Sequence, residues 1–145
     1  MVKENLILVL DTNILLSVML KDGFVRKLIL NENLNLICPQ SLAQEIKDNS
    51  EELSKRVNIT KEGFCALFEL LFKSANVKEY PLVAYVHLEI LAKSICPQGH
   101  EDDWPFLDLA ICENVSFWSN DKALTNQKIV PILSTKEVAQ FVNLQ

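Results

Sequence analysis

Glycine is the scarcest backbone tool in this chain, with only 3 in 145 residues. They stand at 23, 63 and 99, so neither G-x-G-x-x-G nor a G-x-x-x-x-G-K phosphate loop exists. Dinucleotide binding and P-loop nucleotide hydrolysis by their usual routes are thereby excluded. Proline is also sparse, at 5, which together with few glycines excludes collagen-like or linker-like sequence. The four cysteines, Cys38, Cys65, Cys96 and Cys112, form no C-x-x-C pair. They read as free, mostly buried thiols in a reducing compartment rather than as a disulfide framework. Cys96 and His100 in CPQGH resemble half a zinc site, but no second pair stands at finger-like spacing. No G-x-S-x-G elbow or suitably spaced Cys–His pair offers a covalent nucleophile.

A basic excess is missing too. Nineteen acids against 14 Lys and Arg give a net charge of −5. Such a chain is a poor first candidate for gripping nucleic acid through a basic surface. Long apolar runs are absent: the stretch from Leu6 to Leu20 after Lys3 mimics a signal peptide, but Asp11, Thr12 and Asn13 interrupt it. It is too short and polar to span a bilayer and lacks a cleavage site. The expectation is a cytoplasmic protein without a membrane segment.

What is present is a core. Hydrophobic residues make up 49%, and the length suits one domain over residues 1–145. Asn5 to Leu10, NLILVL, is a continuous apolar run of the kind buried on both faces of a parallel sheet. Helices are expected over ILLSVML and, capped by Asp22, over FVRKLILNE. A second strand, LNLIC, is stopped by Pro39. Ser41-Leu42-Ala43-Gln44 reads as a capping box for a helix running toward Ser54, and Thr60 caps the next. In that one, Phe64, Leu67, Phe68, Leu71 and Phe72 have helical spacing. A short strand is expected within Asn76–Tyr80, and a helix over Leu82–Ile95 with Val83, Val86, Ile90 and Leu91 on its inner stripe.

After the CPQGH loop, Glu101-Asp102-Asp103 opens a helix that tolerates Pro105 in its first turn and faces inward with Phe106, Leu107, Ala110 and Ile111. Strands follow at Val115–Trp118 and Ile129–Leu133, with a short helical turn between them. Ser134-Thr135-Lys136-Glu137 is a second capping box, opening a helix with Val138, Phe141 and Val142 inward. Alternating strands and helices argue for an α/β fold with a mostly parallel sheet.

In such sheets the site lies beyond the carboxyl ends of the strands. Asp11 ends the first strand and Asp121 follows the fourth, within Ser119-Asn120-Asp121. Glu45 lies early in the helix after the second strand. Asp103 opens a helix running against the strands, and reaches the same edge only if its loop wraps back. Four carboxylates in one cleft raise one another's pKa unless a cation offsets them. A hard divalent cation, Mg²⁺ or Mn²⁺, suits an all-oxygen set. Such a cation lowers the pKa of a bound water and clamps a phosphodiester. The chemistry implied is metal-assisted phosphodiester hydrolysis. A phosphatase using D-x-D after its first strand is disfavoured, because the third position is Asn13.

These segments together resemble the PIN-domain family of ribonucleases. LVLDTNILLS (Leu8–Ser17), Glu45 in SLAQEI, EDDWPFLDLA (Glu101–Ala110) and FWSNDKAL (Phe117–Leu124) follow the family's acidic motifs in order, across nearly the whole chain. The resemblance implies a three-layer α/β/α sandwich with strand order 3-2-1-4-5. It implies that Asp11, Glu45, Asp103 and Asp121 hold Mg²⁺ or Mn²⁺ for cleavage of RNA, with Asn13 and Ser119 as supporting polar residues. Asp102 competes with Asp103 for the third role, and Asp108 stands where the family usually has a small residue. Many stand-alone chains of this size are VapC-type toxins paired with a small antitoxin, and many are homodimers.

The alternative reading is a PIN fold kept as a nucleic-acid or protein interaction module with little cleavage. A small-molecule phosphohydrolase is a third. Trp104, Trp118 and His87 read as packing residues and His100 as an exposed loop residue. Lys21, Lys47 and Lys122 read as solvated surface rather than phosphate contacts. Five acids in or beside one cleft would leave 14 acids against 14 bases elsewhere. RNA binding by the protein without metal is then expected to be weak.

Overall fold

The computed structural model describes residues 5–20 and 22–142. Five parallel strands form one sheet: β1 (Leu6–Leu10), β2 (Leu34–Pro39), β3 (Lys78–Tyr80), β4 (Ser116–Trp118) and β5 (Ile132–Leu133). Their order is β3-β2-β1-β4-β5, as the family resemblance implied. Among the described residues, eight α-helices surround the sheet: α1 (Thr12–Met19), α2 (Gly23–Ile29), α3 (Ser41–Asp48), α4 (Ser50–Arg56), α5 (Lys61–Ser74), α6 (Glu89–Ile95), α7 (Trp104–Glu113) and α8 (Thr135–Phe141). The result is an α/β/α arrangement. Among the described residues, no helix is long and apolar enough to cross a membrane.

The apolar β1 is the central strand, and Leu8, Val9 and Leu10 are fully buried. This is why its sequence is continuous rather than alternating. Helix α7 packs on β1, β2 and β4 through Phe106, Leu107 and Ala110, and Phe106 stacks on Phe117 of β4 at 5.6 Å. The chain runs β1-β2-β3 to one side, then returns to lay β4 and β5 on the other. The order therefore reverses between β1 and β4, and in open α/β sheets such a switch point, at the strands' carboxyl edge, is where ligands bind. Asp11 and Asp121 follow these two strands.

Several boundaries differ from the sequence expectation, each for a visible reason. β2 includes Pro39, which pairs in register with Tyr80 at the strand's last position, where a missing N–H matters least. The Ser41 capping box does not form. Gln40 precedes the helix without a side-chain cap, and Gln44 donates to Asp48 instead of reaching back. The helix toward Ser54 is broken into α3 and α4 at Asn49, whose side-chain amide bonds the Glu45 carbonyl.

Leu82–Ile95 is not one helix. Two 3-10 turns, Leu82–Ala84 and Val86–Leu88, precede α6, because Tyr85 takes an extended φ of −136° and buries its ring. The supposed inner stripe consequently faces out: Val83 is 80% exposed and Ile90 86%. Leu67 and Phe141 are likewise exposed rather than core. β5 is shorter than Ile129–Leu133, because the Gln127 carboxamide accepts from the N–H groups of Ile129 and Val130 and replaces the ladder there. Of the free cysteines only Cys38 is buried, and burial pushes its thiol up to about 12.

The caps at Asp22, Thr60 and Ser134 form as expected. At Ser134 the hydroxyl accepts from Glu137 N at 3.2 Å while Glu137 Oε1 accepts from Ser134 N at 3.1 Å. Ser134→Ala is expected to lower stability by about 1 kcal/mol, read as a fall of roughly 2–4 °C in Tm. An unchanged Tm would show that α8 does not depend on this cap.

Candidate active site

Asp11 is placed by two constraints. It ends the buried β1, and it caps α1 by accepting from Asn13 N at 3.4 Å. Its own N–H donates to Trp118 O at 3.2 Å, which ties it to the end of β4. The Ser119 hydroxyl, itself buried, donates to Asp11 Oδ2 at 2.6 Å and accepts from Asp121 N at 3.2 Å. One serine thus couples the ends of β1 and β4. Asp121 in turn caps the 3-10 turn Lys122–Asn126, accepting from Ala123 N at 3.0 Å.

Glu45 comes from α3, and its Oε2 accepts from the Thr12 hydroxyl at 3.2 Å. Asp103 sits at the start of α7. The loop before it does wrap back. His100 O accepts from Asp103 N at 3.0 Å, and the His100 ring stands against both Asp103 and Asp121.

The electrostatics show that these acids share one region. Asp11 is buried, and desolvation pushes its carboxyl up. The bonds from Ser119 and Asn13 pull it back, and the charges of Asp103 and Asp121 push it up again. The Glu45 carboxyl end is partly withdrawn from water, which raises its pKa. The Thr12 bond opposes that shift, and Asp103, Asp11 and Asp102 add to it. Asp103 is raised by burial, lowered by His100, and raised by Asp121 and Asp102. Asp102 is exposed yet near enough for both Glu45 and Asp103 to feel its charge.

The donor chemistry fits a hard divalent cation: four carboxylates from four elements, three of them raised in part by one another's charge. As the side chains stand, no group of three or more His, Cys, Asp or Glu among the described residues converges closely enough to hold an ion. A bound cation would have to draw the carboxylates inward.

Two residues matter here that sequence reasoning passed over or misplaced. Thr12 is buried and its hydroxyl holds Glu45, whereas the Asn13 side chain is exposed and only its backbone N–H serves Asp11. A hydroxyl residue beside a strand-end acid was the available signal. His100 is not a free loop residue; its Nδ1 is 3.1 Å from Asp121 Oδ2. No spacing rule joins positions 100 and 121.

Asp108 is not part of this constellation. It is fully buried in α7, where Oδ1 accepts from Cys112 Sγ at 3.4 Å and Oδ2 has no partner. His87 approaches the same sulfur, with Nε2 3.6 Å away. Burial holds the Asp108 carboxyl above its usual range; the Cys112 bond and His87 pull it back, and Glu89 pushes it up. An acid raised in the folded state costs stability only where it must ionise. The cost is absent below the usual carboxylate range and complete above the raised value. Asp108→Asn is therefore expected to raise Tm at pH 8 by roughly 2–4 °C, for about 1 kcal/mol. The gain should shrink toward pH 4.5, and an equal gain at both pH values would contradict this account.

Trp118 is buried and donates to Thr135 Oγ1 at 3.1 Å, and Trp104 packs on Tyr85 with Lys93 over its ring. Lys47 and Lys122 are exposed, and Lys21 lies outside the described residues. A polar hollow beside Glu45 is lined by Thr12, Asn13, Asn49, Glu52 and Arg56.

A family model for the PIN domain matches residues 9–141. No curated protein matches the chain. Members of the family are generally nucleases that use divalent metal ions. The match begins within β1 and ends in α8, so it takes in the end of β1, the strands β2 to β5 and all four acids at the sheet's carboxyl edge. On that span the chain belongs to the PIN-domain family.

Proposed function

We propose that the chain is a metal-dependent endoribonuclease acting as one domain, with Asp11, Glu45, Asp103 and Asp121 as ligands for Mg²⁺ or Mn²⁺. The observation that carries this reading is geometric: the Ser119 hydroxyl ties Asp11 at 2.6 Å to Asp121 N at 3.2 Å, Thr12 ties Glu45 to the same edge, and His100 stands against both Asp103 and Asp121. When bound, a divalent ion lowers the pKa of water and offsets charge on the phosphate.

The rest falls to the chain's own residues. Ser119 fixes the Asp11 carboxylate by its 2.6 Å bond and holds the Asp121 backbone in the same step. Thr12 orients Glu45. The polar hollow past Glu45, with Arg56 on its wall, gives the RNA backbone a path that leaves the acids. In this reading water attacks phosphorus, because the Ser119 and Thr12 hydroxyls are engaged with Asp11 and Glu45.

The biological setting within this reading is the toxin of a type II toxin–antitoxin pair, acting on RNA in the cytoplasm. The exposed apolar residues Leu82, Val83 and Ile90 support a protein contact, with an antitoxin or a second copy. The rival reading is a PIN fold kept as a nucleic-acid or protein interaction module with little or no cleavage.

Labelled RNA with purified protein separates the two. Cleavage in Mn²⁺ that EDTA abolishes is the expected result. RNA left intact under every metal but retarded in a gel would favour the interaction module.

A further inference from the structure

The break between α3 and α4 leaves a hollow beside the acids. Asn49 stands at the break, where its side-chain amide donates to Glu45 O at 2.8 Å. The chain restarts as α4, which sets Glu52, Leu53 and Arg56 along a hollow of about 200 Å³, with Asn13 and Leu16 of α1 also on its wall. Thr12 and Glu45, joined by their 3.2 Å bond, line it too, so the hollow shares a wall with the candidate site.

Three features suit one nucleobase. The first is size. Pockets for drug-sized molecules run to about 300–1,000 Å³; this one holds a single flat heterocycle. The second is layering. Buried Ile46 and half-buried Leu16 and Leu53 give an apolar floor for a ring face, while the polar groups of α4 are exposed at the rim.

The third is edge chemistry. Arg56 Nη2 donates to Glu52 Oε1 at 3.1 Å, which sets a carboxylate acceptor beside a guanidinium donor. RNA bases freed from a duplex are read along such edges. Guanine alone presents two adjacent donors, N1–H and its amino group, next to an acceptor, O6. The carboxylate takes the donors, and arginine donates to O6 and N7. Adenine and cytosine each place an acceptor ring nitrogen beside their amino group, and a carboxylate repels it. An exposed i,i+4 pair adds little to stability. The Glu89–Lys93 pair of α6 has the same spacing but does not line the hollow.

We propose that this hollow is a base subsite, in which Glu52 and Arg56 select guanine in the nucleotide flanking the scissile phosphate. The proposal rests on the reading that the four acids cleave RNA.

Cleavage of a random-sequence RNA pool in Mn²⁺, with the ends mapped by sequencing, tests it. Wild type should favour guanine at one fixed position beside the cut by about tenfold or more. Glu52→Gln and Arg56→Gln should each reduce that preference below about threefold, with Tm within about 2 °C of wild type. Glu89→Gln should keep the preference. The discrimination should also appear without cleavage. In EDTA, the Arg56 and Asn49 side-chain NMR signals of ¹⁵N-labelled wild type should shift with millimolar GMP and not with AMP, CMP or UMP.

Cuts with no fixed guanine, a preference that both variants keep, or equal shifts for all four nucleotides overturn the subsite and leave the four-acid reading standing. A wild type that cleaves no RNA with any divalent ion overturns that reading, and the subsite with it.

Discussion

Asp11→Asn should abolish metal-dependent RNA cleavage while leaving the fold intact. The substitution keeps the shape of the side chain. Its carbonyl oxygen can still accept from Asn13 N, and its amide can donate to the Ser119 hydroxyl that now donates to Asp11 Oδ2. Only the charge is lost. A bound ion supplies several kcal/mol of charge stabilisation, and 1.36 kcal/mol is tenfold in rate, so misplacing the ion should cost about a hundredfold or more in kcat/KM. Burial raises the Asp11 carboxyl, so the variant should unfold at an equal or higher temperature than wild type at pH 8. Ser119→Ala leaves the charge and loosens its aim, with an expected loss of about tenfold to a hundredfold. Asp11→Asn that retains wild-type cleavage would remove the basis for the site.

The second large effect is on stability, and its sign follows from the same carboxylates. Asp11, Glu45 and Asp103 all have raised pKa values. Their cost to folding is absent below the usual carboxylate range near pH 4, grows as pH rises through the raised values, and is complete above them. Exposed Glu101 is shifted the opposite way by backbone N–H bonds, its own and that of Gly99. The metal-free protein should therefore lose stability as pH rises from the usual carboxylate range through the raised values of these three groups. A divalent ion offsets the charge that causes the loss. At an ion concentration of about 100 Kd the stabilisation is about 2.7 kcal/mol, and Tm should rise by roughly 5–10 °C. The rise should be larger at pH 8 than at pH 5, where protons compete for the ligands. Calorimetric scans with Mn²⁺ and with EDTA at both pH values read it directly. A rise of the same size at pH 5, or none at pH 8, would contradict the shared site.

The central architecture was legible because β1 is buried on both faces and so has no alternation to misread. Its abrupt end in Asp11-Thr12-Asn13 put the first acid at the sheet edge; the strand order came only from the family resemblance, because alternating strands and helices do not fix it. What the sequence could not reveal was set by distant partners. Tyr85 breaks the expected Leu82–Ile95 helix because its ring finds room in the core, and Val83 and Ile90 turn outward as a result. Ser41 carries a capping pattern, but Gln40 takes the cap position and Gln44 bonds Asp48 one turn on.

The site followed the same division. Asp11 and Asp121 were placed by strand ends, a local rule. The return of Asp103 depended on the CPQGH loop, whose path is fixed by the Gly99 turn and by backbone bonds at His100. Thr12 and His100 act through contacts 33 and 21 positions away, which no periodicity encodes. Asp108 looked like a spare acid near the third motif; burial against Cys112 puts it in a separate network.

The most direct test of the central claim follows the oxygen of the attacking water. Wild-type protein and Mn²⁺ should cleave RNA under single turnover in ¹⁸O-water. Mass spectrometry of the products should find one solvent oxygen in the terminal phosphate and no 2′,3′-cyclic phosphate, and EDTA should stop the reaction. Cyclic phosphate ends, or cleavage that continues in EDTA, would contradict metal-assisted hydrolysis by these four acids.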